Sequence, residues 1–198
     1  MGKNRHWVAA WLMILCPAFL AGCGEYGKVD QGRVIKFDKD KRLVTIIRDV
    51  RGDSQNPDYS HLPPVTYELP KNPEDVGADP KAGLMMKLDT RNKEIVIFDP
   101  TAGNFKTIRY TLLDQKENVA KDDPLVKDKK FPQVDREKKT ITIYSAKQKT
   151  LVTFSVPDEF FSLPDNAWDE GDEARFYYKE EGKALRFMNV SKTDIFKK

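Results

Sequence analysis

Cys23 is the reactive residue whose neighbours are most informative. An apolar run from Trp7 to Leu20 precedes it, and Lys3 and Arg5 stand before that run. A cationic start, a short apolar segment and small residues before a cysteine are typical of an export signal. The run has 14 residues. At about 1.5 Å each these cover about 21 Å of a roughly 30 Å hydrocarbon core, so we expect a cleaved signal rather than a transmembrane anchor.

The sequence Leu20-Ala21-Gly22-Cys23 resembles the lipobox of bacterial lipoproteins. The resemblance implies cleavage before Cys23, acylation of its thiol and new amino terminus, and tethering to a membrane. Residues 1–22 would then be the signal peptide and residues 23–30 a tether. Gly follows the cysteine where inner-membrane lipoproteins usually have Asp, so the expected location is the bacterial cell envelope, at the periplasmic face of the outer membrane. A cleaved signal without lipidation is the alternative.

His61 is the one histidine after the signal, and general acid–base catalysis needs a positioned base of this kind. It ends a polar segment that is ten residues longer than its counterpart in the later repeat described below. Long loops on rigid barrels often carry function, so we take Asp53, Asp58, Tyr59 and His61 as candidate ligand-binding residues. The alternative is a solvated insertion with His61 on the surface. The other groups that catalysis usually requires are missing from the sequence. We therefore expect that the protein is not an enzyme.

An acidic cluster surrounds Trp168 and offers oxygen ligands of the kind that a hard cation such as calcium prefers. Within it, Asp169 and Asp172 are the candidate metal ligands and Trp168 is a candidate ligand-binding aromatic. The spacing lacks the alternate-position ligands of an EF-hand, so a solvated acidic turn is the alternative. One histidine and no free thiol do not supply a typical zinc or copper site, and no cofactor is predicted.

The charge balance argues against a nucleic-acid partner. The whole chain has 34 Lys and Arg, 31 Asp and Glu and a net charge of +3. Two of the basic residues leave with the signal, so the mature chain has a net charge of about +1. Nucleic-acid binding depends on many uncompensated cations. The mature chain also has no thiol beyond Cys23, so its core must stabilise it without disulfides.

Four hairpins of the same spacing repeat along the chain, at residues 34–47, 85–98, 134–144 and 177–188. Each second strand alternates apolar and polar residues, which predicts one buried face. The predicted core residues are Val44, Ile46, Ile95, Ile97, Ile141, Ile143, Leu185 and Phe187. In the first three turns Asp38, Asp89 and Asp135 should accept backbone N–H groups, each in a type I turn followed by a left-handed residue.

A longer similarity groups these hairpins in pairs, because residues 65–70 after the first resemble residues 152–157 after the third. We therefore predict an all-β fold of two tandem small barrels of the OB or SH3 type. The first would span residues 31–113, the linker 114–128 and the second barrel 129–198. One larger antiparallel barrel or sandwich is the alternative.

The whole pattern resembles an uncharacterised lipoprotein family of sulfate-reducing bacteria. The resemblance depends on Leu20 to Cys23 and on the hairpins over residues 31–156, and it implies no catalytic residues. We expect a membrane-anchored, non-enzymatic binding or assembly module that offers strand edges to an envelope protein partner. A periplasmic carrier of a small ligand or a metal is the alternative.

Overall fold

The computed structural model describes residues 26–52 and 56–193, and it confirms the all-β class. Cys23 and Asp53 lie outside the described residues. Short 3₁₀ helices lie at Pro73–Asp75, Asp158–Ser162 and Asp165–Trp168. In the described ranges no helix has the length and apolar character needed to cross a membrane. The strands are β1 (Lys28–Asp38), β2 (Leu43–Arg48), β3 (Val65–Glu68), β4 (Met85–Asp89), β5 (Glu94–Asp99), β6 (Asn104–Arg109), β7 (Thr111–Lys116), β8 (Gln133–Asp135), β9 (Thr140–Ser145), β10 (Thr150–Ser155), β11 (Glu173–Glu180) and β12 (Lys183–Asn189).

Five strands close into a small barrel in the order β1-β11-β12-β3-β2. The pairs are antiparallel except at the closure, where Lys183 of β12 lies beside Glu68 of β3 in parallel orientation. Apolar side chains fill the barrel, and the rings of Tyr67 and Phe176 stack with centroids 4.5 Å apart. Period-two alternation puts these side chains inside because successive residues of a strand face opposite sides.

The strands between the two ends of the barrel form two further sheets, in the orders β7-β10-β9-β8 and β4-β5-β6. Both sheets bury side chains in one shared core, which also includes Ile35 and Ile47 from the wall of the barrel. Only Tyr110 separates β6 from β7, so one extended segment passes from the first sheet into the second. These sheets therefore form a second unit that packs against the outside of the barrel.

The strand pairing crosses the predicted domain boundaries. The closed barrel takes β1, β2 and β3 from the first predicted module and β11 and β12 from the second. The first hairpin thus pairs with the fourth, and the sheets formed by the second and third hairpins are inserted between them. The predicted linker 114–128 includes the end of β7. Alternation specifies each hairpin and its buried face, but it does not specify which free strand edges meet.

The turn prediction is confirmed in the first three hairpins. The Oδ1 atoms of Asp38, Asp89 and Asp135 accept the backbone N–H of the residue three positions later at 3.0, 2.9 and 2.9 Å. The left-handed residues are Arg42, Lys93 and Lys139, which directly follow these turns, and Gly182 in the fourth hairpin. The aspartates therefore have a structural role.

The predicted core is confirmed except at Leu185, whose side chain is 48% exposed. In the β11–β12 ladder Tyr177 lies opposite Arg186, whereas Tyr178 lies opposite Ala184. Leu185 is thus the extra residue of a β-bulge. A bulge breaks strict alternation, so Ala184 turns inward in place of Leu185.

The barrel meets the second unit where three backbone segments cross at Val34. Its carbonyl accepts the N–H of Gly83 at 3.0 Å, and its own N–H donates to the carbonyl of Asp172 at 2.9 Å. A Cβ atom on Gly171 would overlap the Val34 carbonyl. Only glycine permits so close a backbone approach, so Gly171 fixes the spacing between the units.

Candidate functional site

A cleft of about 710 Å³ lies where the barrel, the second unit and the long loop after β2 meet. The loop contributes Asp58 and Tyr59 to one wall. The second unit contributes the other wall, whose apolar side chains are Met86, Leu88, Val96 and Phe105 and whose polar side chains are Lys87, Lys147 and Gln148. The cleft therefore combines a polar loop wall with a wall that is apolar over part of its surface.

Arg33 connects the two walls from an outward-facing position on β1. Its side chain is buried, and its Nη1 donates to the carbonyls of Met85 and Met86 at 2.9 and 3.0 Å. The guanidinium carbon lies 4.5 Å from the centre of the Tyr59 ring, within cation–π range. Glu170 lies 4.0 Å from Nη2. Arg33 therefore holds the loop and β4 on either side of the cleft.

Tyr59 ties the loop to the barrel. Its hydroxyl donates to Oε2 of Glu173, at the start of β11, over 2.6 Å. Burial raises the pKa of both the Tyr59 phenol and the Glu173 carboxyl. The guanidinium of Arg33 and the hydrogen bond from Tyr59 oppose that rise at Glu173. Because burial disfavours the charged form of each group, the pair is a tightly held polar contact at the edge of the cleft.

Asp49 organises the base of the loop. Its Oδ1 accepts the backbone N–H groups of Arg51 and Asp58 at 3.0 and 2.7 Å, which brings the two ends of the loop together. Within the described residues, its Oδ2, the Nε of Arg33 and the Oε1 of Glu173 are buried without a hydrogen-bond partner. Buried polar atoms of this kind are uncommon in folded proteins.

The cleft has an excess of positive charge. Its lining includes four basic side chains, those of Arg33, Arg51, Lys87 and Lys147, against the carboxylates of Asp58 and Glu170. Arg51 lies 4.0 Å from Asp58, and Lys87 lies 3.1 Å from Asp89. An apolar wall beside cationic groups suits a ligand with an apolar body and an anionic group.

Of the loop residues predicted to bind a ligand, Asp58 and Tyr59 line the cleft. His61 is exposed and lies outside the lining. Trp168, the candidate ligand-binding aromatic, is buried, since its side chain is only 1% exposed. Its ring packs edge-on against Phe154 in the core of the second unit. An acidic neighbourhood in the sequence gave no sign that this tryptophan turns inward.

The carboxylates predicted to bind metal have protein partners instead. Oδ2 of Asp172 accepts the backbone N–H of Lys81 at 2.8 Å and the side-chain amide of Asn189 at 2.9 Å. Oδ1 of Asp169 accepts from the Lys81 ammonium at 2.8 Å, and burial raises the pKa of Asp169. Across residues 26–52 and 56–193, no group of three or more His, Cys, Asp and Glu side chains could hold a metal ion. Asp169 and Asp172 instead hold Lys81 against the barrel.

Sequence reasoning missed Arg33, Asp49 and Glu173. Arg33 and Glu173 lie directly opposite each other in the β1–β11 ladder. Both strands also alternate apolar and polar residues, so the pattern predicts that the side chains of Arg33 and Glu173 are exposed to solvent. Only the tertiary structure reveals that the long loop covers both residues and that β4 contacts Arg33. No sequence signal distinguished Asp49 from a strand-end aspartate.

Fold and site together define an all-β protein with a closed five-stranded barrel and a cleft between that barrel and an inserted pair of sheets. The chain belongs to the family described as Domain of unknown function (DUF4881), whose profile matches residues 25–198. The match covers the barrel and the inserted sheets together. Neither a curated protein nor a solved structure matches the chain.

Proposed function

We propose that this protein is a membrane-anchored, non-enzymatic binding module of the bacterial cell envelope, and that it binds its partner in the cleft beside Arg33. The lipobox at Leu20 to Cys23 supports the anchor. The cleft itself is the observation that carries the binding role. Its volume of about 710 Å³ is within the range of roughly 300 to 1,000 Å³ that ligand sites occupy.

The construction of the cleft supports a pre-formed site. Asp49 closes the loop, Tyr59 bonds to Glu173, and Arg33 bonds to two carbonyls of β4. Groups held in this way lose little conformational entropy when a partner binds. Burial raises the pKa of both Tyr59 and Glu173 at the edge of the cleft, and these two groups bond to each other, which favours a positioning role over proton transfer with a substrate.

Site-specific photocrosslinking in intact cells tests the binding role. A photoreactive phenylalanine analogue at Phe105 would lie in the cleft wall, and the same analogue at Leu113, exposed on β7, is the matched control. We expect adducts of defined mass from position 105 and not from position 113. Uncrosslinked protein at both positions, or equal adducts from both, would contradict a binding role for the cleft.

The anchor has its own test. We expect the intact mass of the membrane-extracted protein to correspond to a chain that begins at an acylated Cys23. The Cys23→Ser variant should lack the acyl mass. An unmodified amino-terminal segment retained on the wild-type protein would refute lipidation.

A carrier of a small anionic amphiphile is a second candidate, favoured by the four basic side chains beside the apolar wall. Decanoate combines an apolar chain with a carboxylate and serves as a probe. Calorimetric titration should give binding that weakens in Arg51→Gln and Lys87→Gln variants. Titration with uncharged decanol is the control, and equal affinity for both probes would argue against this role.

A further inference from the structure

We propose that one outer face of the barrel lies against the lipid surface to which Cys23 is tethered. This barrel face consists of Tyr26, Val29, Tyr177 and Leu185, which are among the exposed large apolar side chains of the protein. The inference depends on the lipid anchor proposed above. It adds a second contact with the membrane, and that contact sets the orientation of the cleft.

Val29, Tyr177 and Leu185 are neighbours on three adjacent strands, and Tyr26 lies just before the first of these strands. Val29 of β1 lies directly opposite Tyr177 of β11, and Tyr177 lies opposite Arg186, the residue after Leu185, in β12. A Cβ atom on Gly27 would overlap the Tyr177 ring, so that ring lies over the backbone next to Tyr26. Single exposed apolar residues are ordinary on protein surfaces. A contiguous apolar group across paired strands is, in contrast, typical of an interaction surface.

The bulge in β12 supports a functional role for the barrel face, because it determines on which side of the strand Leu185 lies. Without the extra residue, strict alternation would turn Leu185 into the barrel. The bulge instead places Leu185 outside and the small Ala184 inside. Bulges commonly re-aim a side chain for function. Here the change places a large apolar group beside Tyr177.

The position of the face in the chain favours a lipid surface as its occupant. Tyr26 is three residues from Cys23, and β1 begins at Lys28. Five residues of extended chain span at most about 18 Å, so a tether at Cys23 holds this end of the barrel close to the bilayer. A single lipid anchor with a short tether leaves other faces of the protein further from the membrane.

The composition of the face also fits a lipid surface. Tyrosine is enriched at membrane interfaces because its ring is apolar and its hydroxyl is polar. Lys28, Lys179 and Arg186 are exposed beside the apolar group and would meet anionic headgroups. Arg186 also lies 3.9 Å from Asp75 at the margin of the face. A weak apolar and cationic contact of this kind complements an acyl anchor.

An environment-sensitive fluorophore tests the contact. In the acylated protein the Cys23 thiol is blocked, so a Leu185→Cys variant provides one labelling site. Leu113→Cys on β7 is the matched control, because the two leucines are similarly exposed, at 48% and 53%. In vesicles of phosphatidylethanolamine and phosphatidylglycerol, label at position 185 should shift to shorter wavelength and be quenched by doxyl lipids. Label at position 113 should show neither effect.

Vesicle binding by the unacylated chain tests the contact of the barrel face separately from the lipid anchor. A Leu185→Cys protein produced as residues 24–198, which lacks the signal segment and both native cysteines, should still show the shift at high lipid concentration when it is added to the same vesicles. Replacement of both Val29 and Tyr177 by Ser should reduce its vesicle partition by about tenfold, since each side chain loses part of its burial energy. An intact-mass measurement of Cys23 reports the anchor independently.

Three results would overturn the proposal. The first is an equal response at positions 185 and 113 in vesicles. The second is a fluorophore at position 185 that stays fully in water although Cys23 is acylated normally. The third is a shift at position 185 that needs no lipid and grows with protein concentration, which would assign the face to a second copy of the chain.

Discussion

The Tyr59 hydroxyl donates a 2.6 Å hydrogen bond to the Glu173 carboxylate, across 114 residues of sequence. This bond joins the long loop to the first residue of β11, and Arg33 covers the Tyr59 ring from β1. The loop, the barrel and the cleft wall are thus connected through one polar contact. Its removal should affect both stability and the protonation of Glu173.

We expect Tyr59→Phe to lower the free energy of unfolding by about 1 to 3 kcal/mol, because it leaves a buried carboxylate oxygen without its donor. Urea unfolding followed by tryptophan fluorescence measures this change. Tyr26→Phe is the control, since Tyr26 is fully accessible, and its effect should stay within about 0.5 kcal/mol. Equal stability of Tyr59→Phe and the wild type would show that the bond contributes nothing net.

Glu173 should make stability fall as pH rises through its titration range. Burial raises the pKa of its carboxyl above the ordinary value of 4.5. Between the two pKa values the folded state keeps a proton that the unfolded state has released, so the free energy of unfolding decreases with increasing pH.

The Glu173→Gln variant, which carries no titrating group there, isolates this dependence. From about pH 4 upward, the unfolding free energy of the wild type should fall relative to that of the variant. At higher pH the difference between the two should become constant. Gln133→Ala, an exposed position at which no titrating group is removed, is the control and should run parallel to the wild type. Parallel curves for Glu173→Gln would contradict the raised pKa.

Because of the bulge in β12, the apolar residues Leu185 and Phe187 differ in burial. Phe187 is 2% exposed inside the barrel, whereas Leu185 is outside. We expect Phe187→Ala to cost about 3 to 5 kcal/mol through the cavity it leaves. Leu185→Ala should change stability by less than about 0.5 kcal/mol. Chemical denaturation of the unacylated chain measures both, and a large loss for Leu185→Ala would place that side chain in the core.

Gly171 should tolerate no side chain, because a Cβ atom there overlaps the Val34 carbonyl. We expect Gly171→Ala to destabilise the protein by about 4 kcal/mol or more, or to prevent folding. Gly103 is the contrasting position, with a φ of +62° and open space around it. Asn accepts such a φ readily, so Gly103→Asn should fold normally. Thermal unfolding by circular dichroism compares the two, and similar melting temperatures would refute the close approach at Gly171.

The local structure of the hairpins could be predicted from the sequence. Strict alternation identified Ile95 and Ile141 as buried, and the aspartates at the turns accept the expected N–H groups. Both signals act over a few residues, within the range that side-chain periodicity and turn chemistry control. Alternation failed at Leu185 because one inserted residue shifts the register without any change in residue type.

The cleft could be predicted only in part. The unusual length of the loop after β2 drew attention to Asp58 and Tyr59, and both line the cleft. Arg33 and Glu173 belong to it because β1 pairs with β11. That pairing depends on packing between strands far apart in the chain, so it cannot be predicted from a local sequence pattern. Trp168 shows the converse, since it was a candidate ligand-binding residue and the core of the second unit buries its ring.

The all-β class, the hairpins, their turns and seven of the eight predicted core residues follow from the amino-acid sequence, because each depends on neighbouring residues and on the period of the strand. The closure of the barrel by the first and fourth hairpins, and the cleft between that barrel and the inserted sheets, depend on how the whole chain folds. Strand edges carry the same backbone groups whatever their sequence. Their choice of partner therefore follows from the packing of the whole chain.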